Sequence, residues 1–388
     1  MKKTYSFLFA AVALFAAASC QDELISNETP AVQGERFTVT AAADAQTKTA
    51  LTDEGLNSVW TPGDAIAVID FIGNGAEFTT DITENAASAR FTCENFNTGG
   101  LTDISALPIV ALYPYQDGLT CSIQSQLNPT GDNTIKGITF PHEQTAVAGS
   151  FDKSAAFTWA MATGATKDNL EFNNLYSLLK VKVTEENITS ITVSATSGSL
   201  AGNVTLPITQ SGAELTVIDG QGQSSVTLTC EDGFDTDKYY YICVLPGTYE
   251  GFSIALNGYT VKTKASAATF AAATVYDLGS LARKEGSWGI RGSFVGGSWD
   301  NETMMFNYGE DGTQALLNID FGTGGEFKFY NSSNGWSGYD SNDGDPAAKW
   351  VWIKGGSGGN IPATGKVDIY VNNSNWQFKV VPHGTNPF

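Results

Sequence analysis

The segment Leu179-Lys180-Val181-Lys182-Val183 indicates the fold class of this chain. Aliphatic residues alternate with lysines, so successive side chains take opposite faces, which is the period of a half-buried β-strand. Similar alternation recurs in residues 225–230, 252–256, 327–329 and 367–371. Turn sequences such as Pro62-Gly63-Asp64 separate these segments, and no long helical period interrupts them. Short strands at this spacing predict an all-β chain of tandem β-sandwich domains.

The composition excludes several functional classes. The 388 residues leave room for two to four domains. Hydrophobic residues are 42% and charged residues 16%, which is typical of a folded chain rather than a disordered one. A net charge of −20 would repel a phosphate backbone, so we expect no nucleic-acid partner. The two histidines, His142 and His383, are far apart in sequence, which disfavours histidine-cluster chemistry.

The N-terminus carries a targeting pattern. Lys2 and Lys3 precede a short apolar run over 7–15, and small residues then lead to Cys20. The run is too short to span a bilayer. The pattern resembles a bacterial lipoprotein signal, which implies that residues 1–20 are removed and that Cys20 is lipidated, giving a stable membrane anchor. The alternative is an ordinary secretory peptide with an incidental cysteine.

The residues after Cys20 point to the cell surface. Gln21, Asp22 and Glu23 resemble the surface-export signal of Bacteroidota lipoproteins. The resemblance implies that the protein is anchored in the outer membrane and faces the cell exterior. Residues 21–33 are polar and lack a period, so we interpret them as a tether.

Four further cysteines leave the redox state open. An exported protein can form disulfides. Cys230 and Cys243 are predicted in adjacent strands, but a hairpin turn near Gly233 places Asp237 opposite Cys230. Buried free thiols and disulfides therefore both remain possible for these two residues and for Cys93 and Cys121. No CxxC motif supports a zinc or redox site.

Composition also predicts domain boundaries. Six of the eight tryptophans and little of the net negative charge follow residue 282, so residues 281–286 are a linker candidate. A softer break lies near residues 163–170. We therefore predict domains over residues 34–163, 164–282 and 286–388.

Four motifs connect the first two domains to a known family. They are Trp60–Val68, Ala111–Tyr115, Asn174–Val181 and Val244–Tyr249. In this order they resemble the fimbrillin-like family of Bacteroidota over residues 34–282. The resemblance implies two transthyretin-like β-sandwiches in tandem, with Trp60 buried at the end of a sandwich.

The same family suggests an alternative function. In members that polymerise, an arginine-specific cut removes the first strand, and a strand from a neighbouring subunit fills the groove. Arg36 precedes Phe37-Thr38-Val39-Thr40, where such a cut could fall. The resemblance therefore leaves open a fimbrial accessory subunit or tip adhesin.

The third domain resembles a different family. Its motifs are Trp288–Phe294, Glu326–Asn331 followed by Trp336, and Gly358–Ile361 before a last strand pair. They resemble the starch-binding domains of SusE/SusF-type outer-membrane lipoproteins, over about 100 residues. The resemblance implies a carbohydrate-binding-module-like β-sandwich with one shallow site, where the Phe-Lys-Phe strand and an aromatic residue after it contact sugar. The segments 322–325 and 340–345 depart from the expected pattern, so starch itself is not implied.

The chemistry of sugar binding selects candidate residues. An exposed aromatic ring stacks on the apolar face of a pyranose, and neighbouring polar groups bond its hydroxyls. The predicted carbohydrate-binding residues are Trp336, Tyr339, Lys328, Tyr330, Asn331 and Asp340, with Trp299, Trp350 and Trp352 as secondary candidates. Trp336 lies among Ser, Asn and Gly, without a neighbouring apolar run to bury it. Local loop packing of Trp336, and a core layer formed by Trp350 and Trp352 around Val351, are the alternatives.

No cofactor or metal is predicted. Asp340-Ser341-Asn342-Asp343-Gly344-Asp345 resembles a calcium loop, but its glycine and glutamate spacing does not fit an EF-hand. A turn rich in Asp and Asn is the simpler interpretation.

Together these features predict a cell-surface glycan-binding lipoprotein. It would capture a poly- or oligosaccharide on an aromatic platform in its C-terminal domain and support uptake by a SusC/SusD-like outer-membrane system. The alternative is the fimbrial adhesin. We expect no enzyme activity, because a glycosidase needs two carboxylates at a defined separation and nothing singles out such a pair.

Overall fold

A computed structural model describes residues 35–43, 51–52, 55–121, 133–209, 212–308, 311–356 and 358–388. These residues form β-strands and three single-turn 3-10 helices, with no α-helix among them. The predicted all-β fold class is confirmed. The predicted signal peptide, the tether and Cys20 lie outside the described residues. None of the described residues belongs to a helix with the length and apolarity needed to cross a bilayer.

The first twelve strands lie between residues 35 and 174. They are β1 Glu35–Ala43, β2 Leu51–Thr52, β3 Gly55–Ser58, β4 Ala65–Ile69, β5 Gly75–Thr80, β6 Ser88–Phe96, β7 Pro108–Tyr113, β8 Thr120–Cys121, β9 Asn133–Phe140, β10 Glu143–Thr145, β11 Thr158–Thr163 and β12 Leu170–Asn174. Two 3-10 turns, Lys153–Ala155 and Gly164–Thr166, flank β11.

Seven of these strands form a sheet that closes on itself, in the order β1-β12-β11-β7-β4-β5-β6. β1 pairs in parallel with β12 and antiparallel with β6. Arg36 is the second residue of β1, and its side chain lies 3.3 Å from Glu94. A cut after Arg36 would therefore leave Phe37–Ala43 in the sheet, rather than remove the strand.

Aromatic residues fill this closed sheet. Trp60 is buried, as expected, and meets the rings of Phe91, Tyr113 and Phe172 edge-on at centroid distances of 4.9, 5.4 and 5.3 Å. Edge-on contacts of this kind add to the stability gained by burying the rings.

The turn after Trp60 is fixed by one buried carboxylate. Asp64 accepts a hydrogen bond from the backbone N–H of Thr61 at 2.7 Å and lies 3.2 Å from the Nζ atom of Lys153. Gly63 has a φ of 82°, a conformation that glycine adopts without strain. The turn therefore directs the chain into β4 with its charge compensated.

The next twelve strands lie between residues 177 and 281. They are β13 Ser177–Val183, β14 Ser190–Ala195, β15 Ala201–Thr209, β16 Gly212–Ala213, β17 Thr216–Gln223, β18 Ser225–Thr229, β19 Tyr240–Val244, β20 Gly247–Tyr249, β21 Phe252–Leu256, β22 Tyr259–Lys264, β23 Ala268–Phe270 and β24 Val275–Leu281. In β13, Leu179, Val181 and Val183 are buried and the two lysines between them are not, as the alternation predicts.

Most of these strands lie in three sheets, in the orders β10-β18-β14-β21-β22, β19-β13-β24 and β16-β15-β9-β8, and the first and third of these include strands from the first part of the chain. The boundary predicted at residue 163 falls between β11 and β12, which are neighbours in the closed sheet. β9 and β10 precede that boundary, yet they pair with β15 and β18. The first two predicted domains are thus interlocked and share one hydrophobic core.

The described cysteines are all free thiols. Cys230 follows β18 and Cys243 lies in β19, and these strands belong to different sheets. The expectation that the two cysteines occupy adjacent strands is therefore wrong, because the segment between them crosses from one sheet to the other instead of forming a hairpin.

The last ten strands lie between residues 285 and 382. They are β25 Glu285–Gly292, β26 Thr303–Asn307, β27 Thr313–Asp320, β28 Gly325–Asn331, β29 Gly335–Gly338, β30 Val351–Trp352, β31 Lys354–Gly355, β32 Ile361–Ala363, β33 Lys366–Asn372 and β34 Gln377–Pro382. They form one sheet in the order β30-β34-β33-β27-β26-β25-β28-β29-β31, with β32 paired to β28. Only Ile353 separates β30 from β31, so the sheet curls around a second core that includes Trp288.

A short, well-held junction joins the two cores. Between β24 and β25, the Nε atom of Arg283 donates to Glu185 at 2.9 Å, and its guanidinium lies 3.9 Å from the centroid of the Phe306 ring. Tyr259, from the hairpin of β21 and β22, is 3% exposed and accepts a hydrogen bond from the backbone N–H of Leu317 at 2.8 Å. Arg283, within the predicted linker, therefore contacts Glu185 from the part of the chain before the linker and Phe306 from the part after it.

Candidate functional site

The candidate site lies on the outer face of β25, β28 and β29. In β28, Phe327 and Phe329 point into the core, so Lys328 and Tyr330 take the opposite face. In β25 the buried residues Trp288 and Ile290 likewise leave Arg291 on the outer face. Arg291, Lys328 and Tyr330 on this face are half-buried.

Three aromatic rings meet there, and we call Trp299, Tyr330 and Trp336 the aromatic platform. Tyr330 is directly opposite Trp336 across β28 and β29, and their rings meet edge-on at 5.5 Å. Trp299 comes from the loop after β25, and its ring lies 6.2 Å from that of Trp336 at an angle of 40°. Trp299 and Trp336 are 37% and 36% exposed, so both present ring surface to solvent.

Two basic residues adjoin the platform. Arg291 and Lys328 are register partners on β25 and β28. The Cζ atom of Arg291 lies 4.0 Å from the centroid of the Tyr330 ring and 5.3 Å from that of Trp336. These are cation–π distances, which hold the guanidinium against the rings.

An acidic residue completes this face. A Cβ atom at Gly289 would lie 2.5 Å from the Cγ atom of Glu302, so the Glu302 side chain covers that glycine. Partial burial raises the pKa of Glu302 above its usual value, and the charge of Arg291 opposes this rise. The face thus combines aromatic surface, two cations and one carboxylate.

Asn331 does not belong to the platform. It is 6% exposed and lies on the inner side of β28. Its amide donates to the carbonyl of Ser287 at 2.6 Å and accepts from the backbone N–H of Ser333 at 2.9 Å. These bonds hold the turn between β28 and β29, so we withdraw Asn331 as a sugar ligand.

Tyr339 and Asp340 also separate from the platform. The ring of Tyr339 packs edge-on against buried Phe378 at 5.9 Å. The Oδ1 atom of Asp340 accepts from the backbone N–H and the side chain of Asn342, at 2.9 and 2.8 Å. It therefore caps the 3-10 turn Ser341–Asp343.

Trp350 and Trp352 lie just before and within the short strand β30 and make no ring contact with the platform. Val351 between them is buried in the core, whereas Trp352 is 50% exposed. Trp350 is partly buried, and its ring lies 6.0 Å from that of Phe388. The alternative of a shared core layer is wrong for Trp352, because Val351 takes the inward position of this short strand.

The residues that resemble a calcium loop make local contacts. Asp343 pairs with the Nζ atom of Lys354 at 3.1 Å, and Asp345 accepts from the backbone N–H of Ala347 at 2.9 Å. Among the described residues, no group of three or more His, Cys, Asp or Glu side chains is arranged to hold a metal ion.

A cleft of about 670 Å³ opens between the two cores. Asp368 and His383 line it, with Oδ1 and Nδ1 2.8 Å apart. Asp368 also accepts from the backbone N–H groups of Asn318 at 2.7 Å and Gly384 at 2.9 Å. The hydrogen-bonding capacity of this buried carboxylate is therefore used within the protein.

Of the predicted residues, the structure brings together Trp336, Tyr330, Lys328 and Trp299. Sequence reasoning missed Arg291 and Glu302. The alternation of side chains along a strand could have identified Arg291. Trp288 and Ile290 share one face, and Arg291, the residue after Ile290, takes the other face. No comparable signal marks Glu302, which reaches this face from a loop.

No family model and no curated protein matches the chain. Several solved structures are similar to the chain. A candidate cell adhesion protein from Bacteroides uniformis is 17% identical, with a TM-score of 0.38 over 62% of this chain and 92% of that one. A fimbrial protein from Bacteroides ovatus is 13% identical, with a TM-score of 0.29 over 75% and 57% of the two chains. SusF from Bacteroides thetaiotaomicron is 14% identical, with a TM-score of 0.21 over 53% and 51%. The chain is thus similar to the two kinds of protein that its sequence resembles, adhesion or fimbrial proteins of Bacteroides and SusF.

Proposed function

We propose that the chain is a cell-surface glycan-binding lipoprotein whose C-terminal domain captures a poly- or oligosaccharide on the aromatic platform. The observation that carries the proposal is the pair of exposed indole rings, Trp299 and Trp336, held 6.2 Å apart. Exposed apolar surface of this kind costs free energy in water, and a sugar face would cover it.

The platform suits the two surfaces of a pyranose. The indole of Trp336 offers a flat apolar face for the axial C–H groups of the ring. Arg291 and Lys328 beside it offer hydrogen-bond donors, and Glu302 offers acceptors, for the ring substituents. The rings have few rotatable bonds, so little conformational entropy is lost when sugar binds.

The shallow shape supports binding rather than hydrolysis. A sugar on the platform would contact one face of a sheet, and Glu302 is the carboxylate that we place there. Hydrolysis requires two carboxyl groups flanking the bond that is cleaved. The proposal is therefore capture of a glycan without chemical change.

The sequence supports the place of this function in the cell. The lipoprotein-like signal and the acidic residues after Cys20 support an outer-membrane anchor that faces the exterior. In this setting the fimbrillin-like region would hold the platform away from the membrane, and a SusC/SusD-like transporter complex would receive the captured glycan.

Affinity gel electrophoresis of the chain from residue 21 onward, across a polysaccharide panel, tests the proposal. We expect at least one glycan to retard the protein. Trp336→Ala should weaken this retardation by on the order of tenfold, because the main stacking surface is lost. Trp352→Ala is the matched control, since it removes an exposed indole that makes no ring contact with the platform.

The outcomes separate the possibilities. Retardation that is lost in Trp352→Ala and kept in Trp336→Ala would move the site to the Trp350–Trp352 region. Retardation by no glycan would reject the proposal and favour the adhesin alternative, with a protein partner as its ligand. Release of reducing sugar during the assay would contradict capture without hydrolysis.

A further inference from the structure

We propose that the platform selects acidic glycans, in which a uronate ring stacks on Trp336 and its carboxylate binds Arg291 and Lys328. This inference rests on the proposed function and names the class of glycan. It follows from three observations: the paired cations, the absence of a close ion pair or side-chain hydrogen bond to either of them, and the distance of Arg291 from the stacking ring.

The first observation is the placement of the cations. Arg291 and Lys328 are register partners on neighbouring antiparallel strands, so their side chains leave the same face of the sheet side by side. Two like charges in this position repel each other in the free protein. An anion between them would relieve that repulsion.

The second observation is that neither cation forms a close ion pair or a side-chain hydrogen bond among the described residues. In the part of the chain that the structure describes, neither side chain donates a hydrogen bond, and no carboxylate oxygen lies within 4.0 Å of their charged nitrogen atoms. The Nε atom of Arg291 is buried and has no acceptor. By contrast, the guanidinium of Arg283 donates twice to Glu185, at 2.9 and 2.6 Å.

Glu302, the carboxylate on this face, interacts electrostatically with Arg291, but their charged atoms do not come within the 4.0 Å of an ion pair. A buried donor without an acceptor costs about 1–3 kcal/mol. A carboxylate from a ligand would satisfy the donor through charge-assisted hydrogen bonds.

The third observation is the geometry relative to the rings. The Arg291 guanidinium lies 5.3 Å from the centroid of the Trp336 ring and 4.0 Å from that of Tyr330. A uronate carries its carboxylate directly on the pyranose, at the edge of the ring that stacks. One residue can therefore stack on Trp336 and reach Arg291 at the same time. The planar guanidinium fork suits a carboxylate better than a single hydroxyl.

The test compares uronate polymers with their neutral forms. Polygalacturonate, alginate and hyaluronan are each offered beside the same polymer with its carboxyl groups methyl-esterified, to the chain from residue 21 onward. Neutral polysaccharides and dextran sulfate complete the panel. We expect at least one free acid to bind about tenfold or more tightly than its ester.

Variants assign the effect to the two cations. Arg291→Gln and Lys328→Gln should each remove most of the preference for the free acid. Lys366→Gln, which removes an exposed charge at the start of β33, should preserve it. Arg291→Lys should restore part of it, since the charge returns without the planar fork. Circular dichroism melting identifies any variant that fails to fold, and the half-buried Lys328 tests the idea if Arg291 variants do fail.

Three results would overturn the inference. Equal binding of acid and ester, or binding of neutral polysaccharides alone, would reject acidic selectivity and leave glycan capture in place. Tighter binding of dextran sulfate than of every uronate would assign the cations to sulfate instead. Binding of no polysaccharide at all would reject the proposed function itself.

Discussion

At the residue scale, burial decides the chemistry of the four described thiols. Cys243 is fully buried, which raises its pKa well above the usual value. Burial also raises the pKa of Cys121 to about 11. Cys93 and Cys230 are half-buried. Because the thiolate is the reactive form, the buried pair should react more slowly than Cys93 and Cys230 in the native protein.

We expect a thiol reagent at pH 8 to label Cys93 and Cys230 first, in the chain from residue 21 onward. Cys121 should follow more slowly, and Cys243 should react only after unfolding in guanidinium chloride. Peptide mass spectrometry after timed quenching gives the order. Fast native labelling of Cys243, or a disulfide in the unreduced protein, would contradict the structure.

Strand parity explains how much of the site could be predicted. Lys328 and Tyr330 share a face because Phe327 and Phe329 take the other, and Asn331 has the parity of the phenylalanines. The sequence therefore contained the signal that excludes Asn331. The approach of Trp299 to Trp336 could not be predicted, because it depends on how a ten-residue loop returns to the sheet.

At the scale of elements, one side chain joins two sheets. Gln144 lies in β10 and is 2% exposed. Its Nε2 atom donates to the carbonyl of Cys243 at 2.7 Å, and its Oε1 atom accepts from the N–H of the same residue at 3.0 Å. The Gln144 side chain thus makes the two backbone hydrogen bonds with Cys243 that a neighbouring strand would otherwise make.

Removing this side chain should therefore destabilise the fold. Gln144→Ala leaves two backbone groups of Cys243 buried without partners, at about 1–3 kcal/mol each. We expect the free energy of unfolding in urea to fall by about 2–6 kcal/mol. Gln223→Ala, at an exposed position, should leave it unchanged. A loss no larger than that of the control would show that water replaces the amide.

The strands themselves were more predictable than their partners. Alternation in residues 179–183 reports which side chains face the core, and β13 follows it. Alternation does not indicate which strand is the hydrogen-bonded neighbour. The pairing of β9 with β15 joins residues far apart in sequence, so the predicted boundary at residue 163 could not account for it.

At the scale of the molecule, Tyr259 couples the two cores. Its ring is buried with Ala315, Tyr370 and Val381, and burial raises its pKa to about 12. Truncation of a buried aromatic residue costs about 3–5 kcal/mol. Tyr259→Ala should therefore weaken the junction without disturbing either core directly.

We expect Tyr259→Ala to lower or split the calorimetric unfolding transition and to increase the radius of gyration measured by small-angle X-ray scattering. Tyr239→Ala is the matched control, because Tyr239 is 42% exposed and lies beside Lys180. If both variants kept the calorimetric profile and the radius of the parent chain, the coupling would be refuted.

The parallel pairing of β1 with β12 has a consequence for the order of folding. Ala41 is opposite Leu170, so the closed sheet brings together the first and last of its strands. Contacts between residues this distant in sequence form slowly, since the loop entropy is lost before the contact is made. Because synthesis begins at the N-terminus, one edge of β1 stays unpaired until residues 170–174 have been made. That interval is when this protein depends most on being shielded from neighbouring copies of itself.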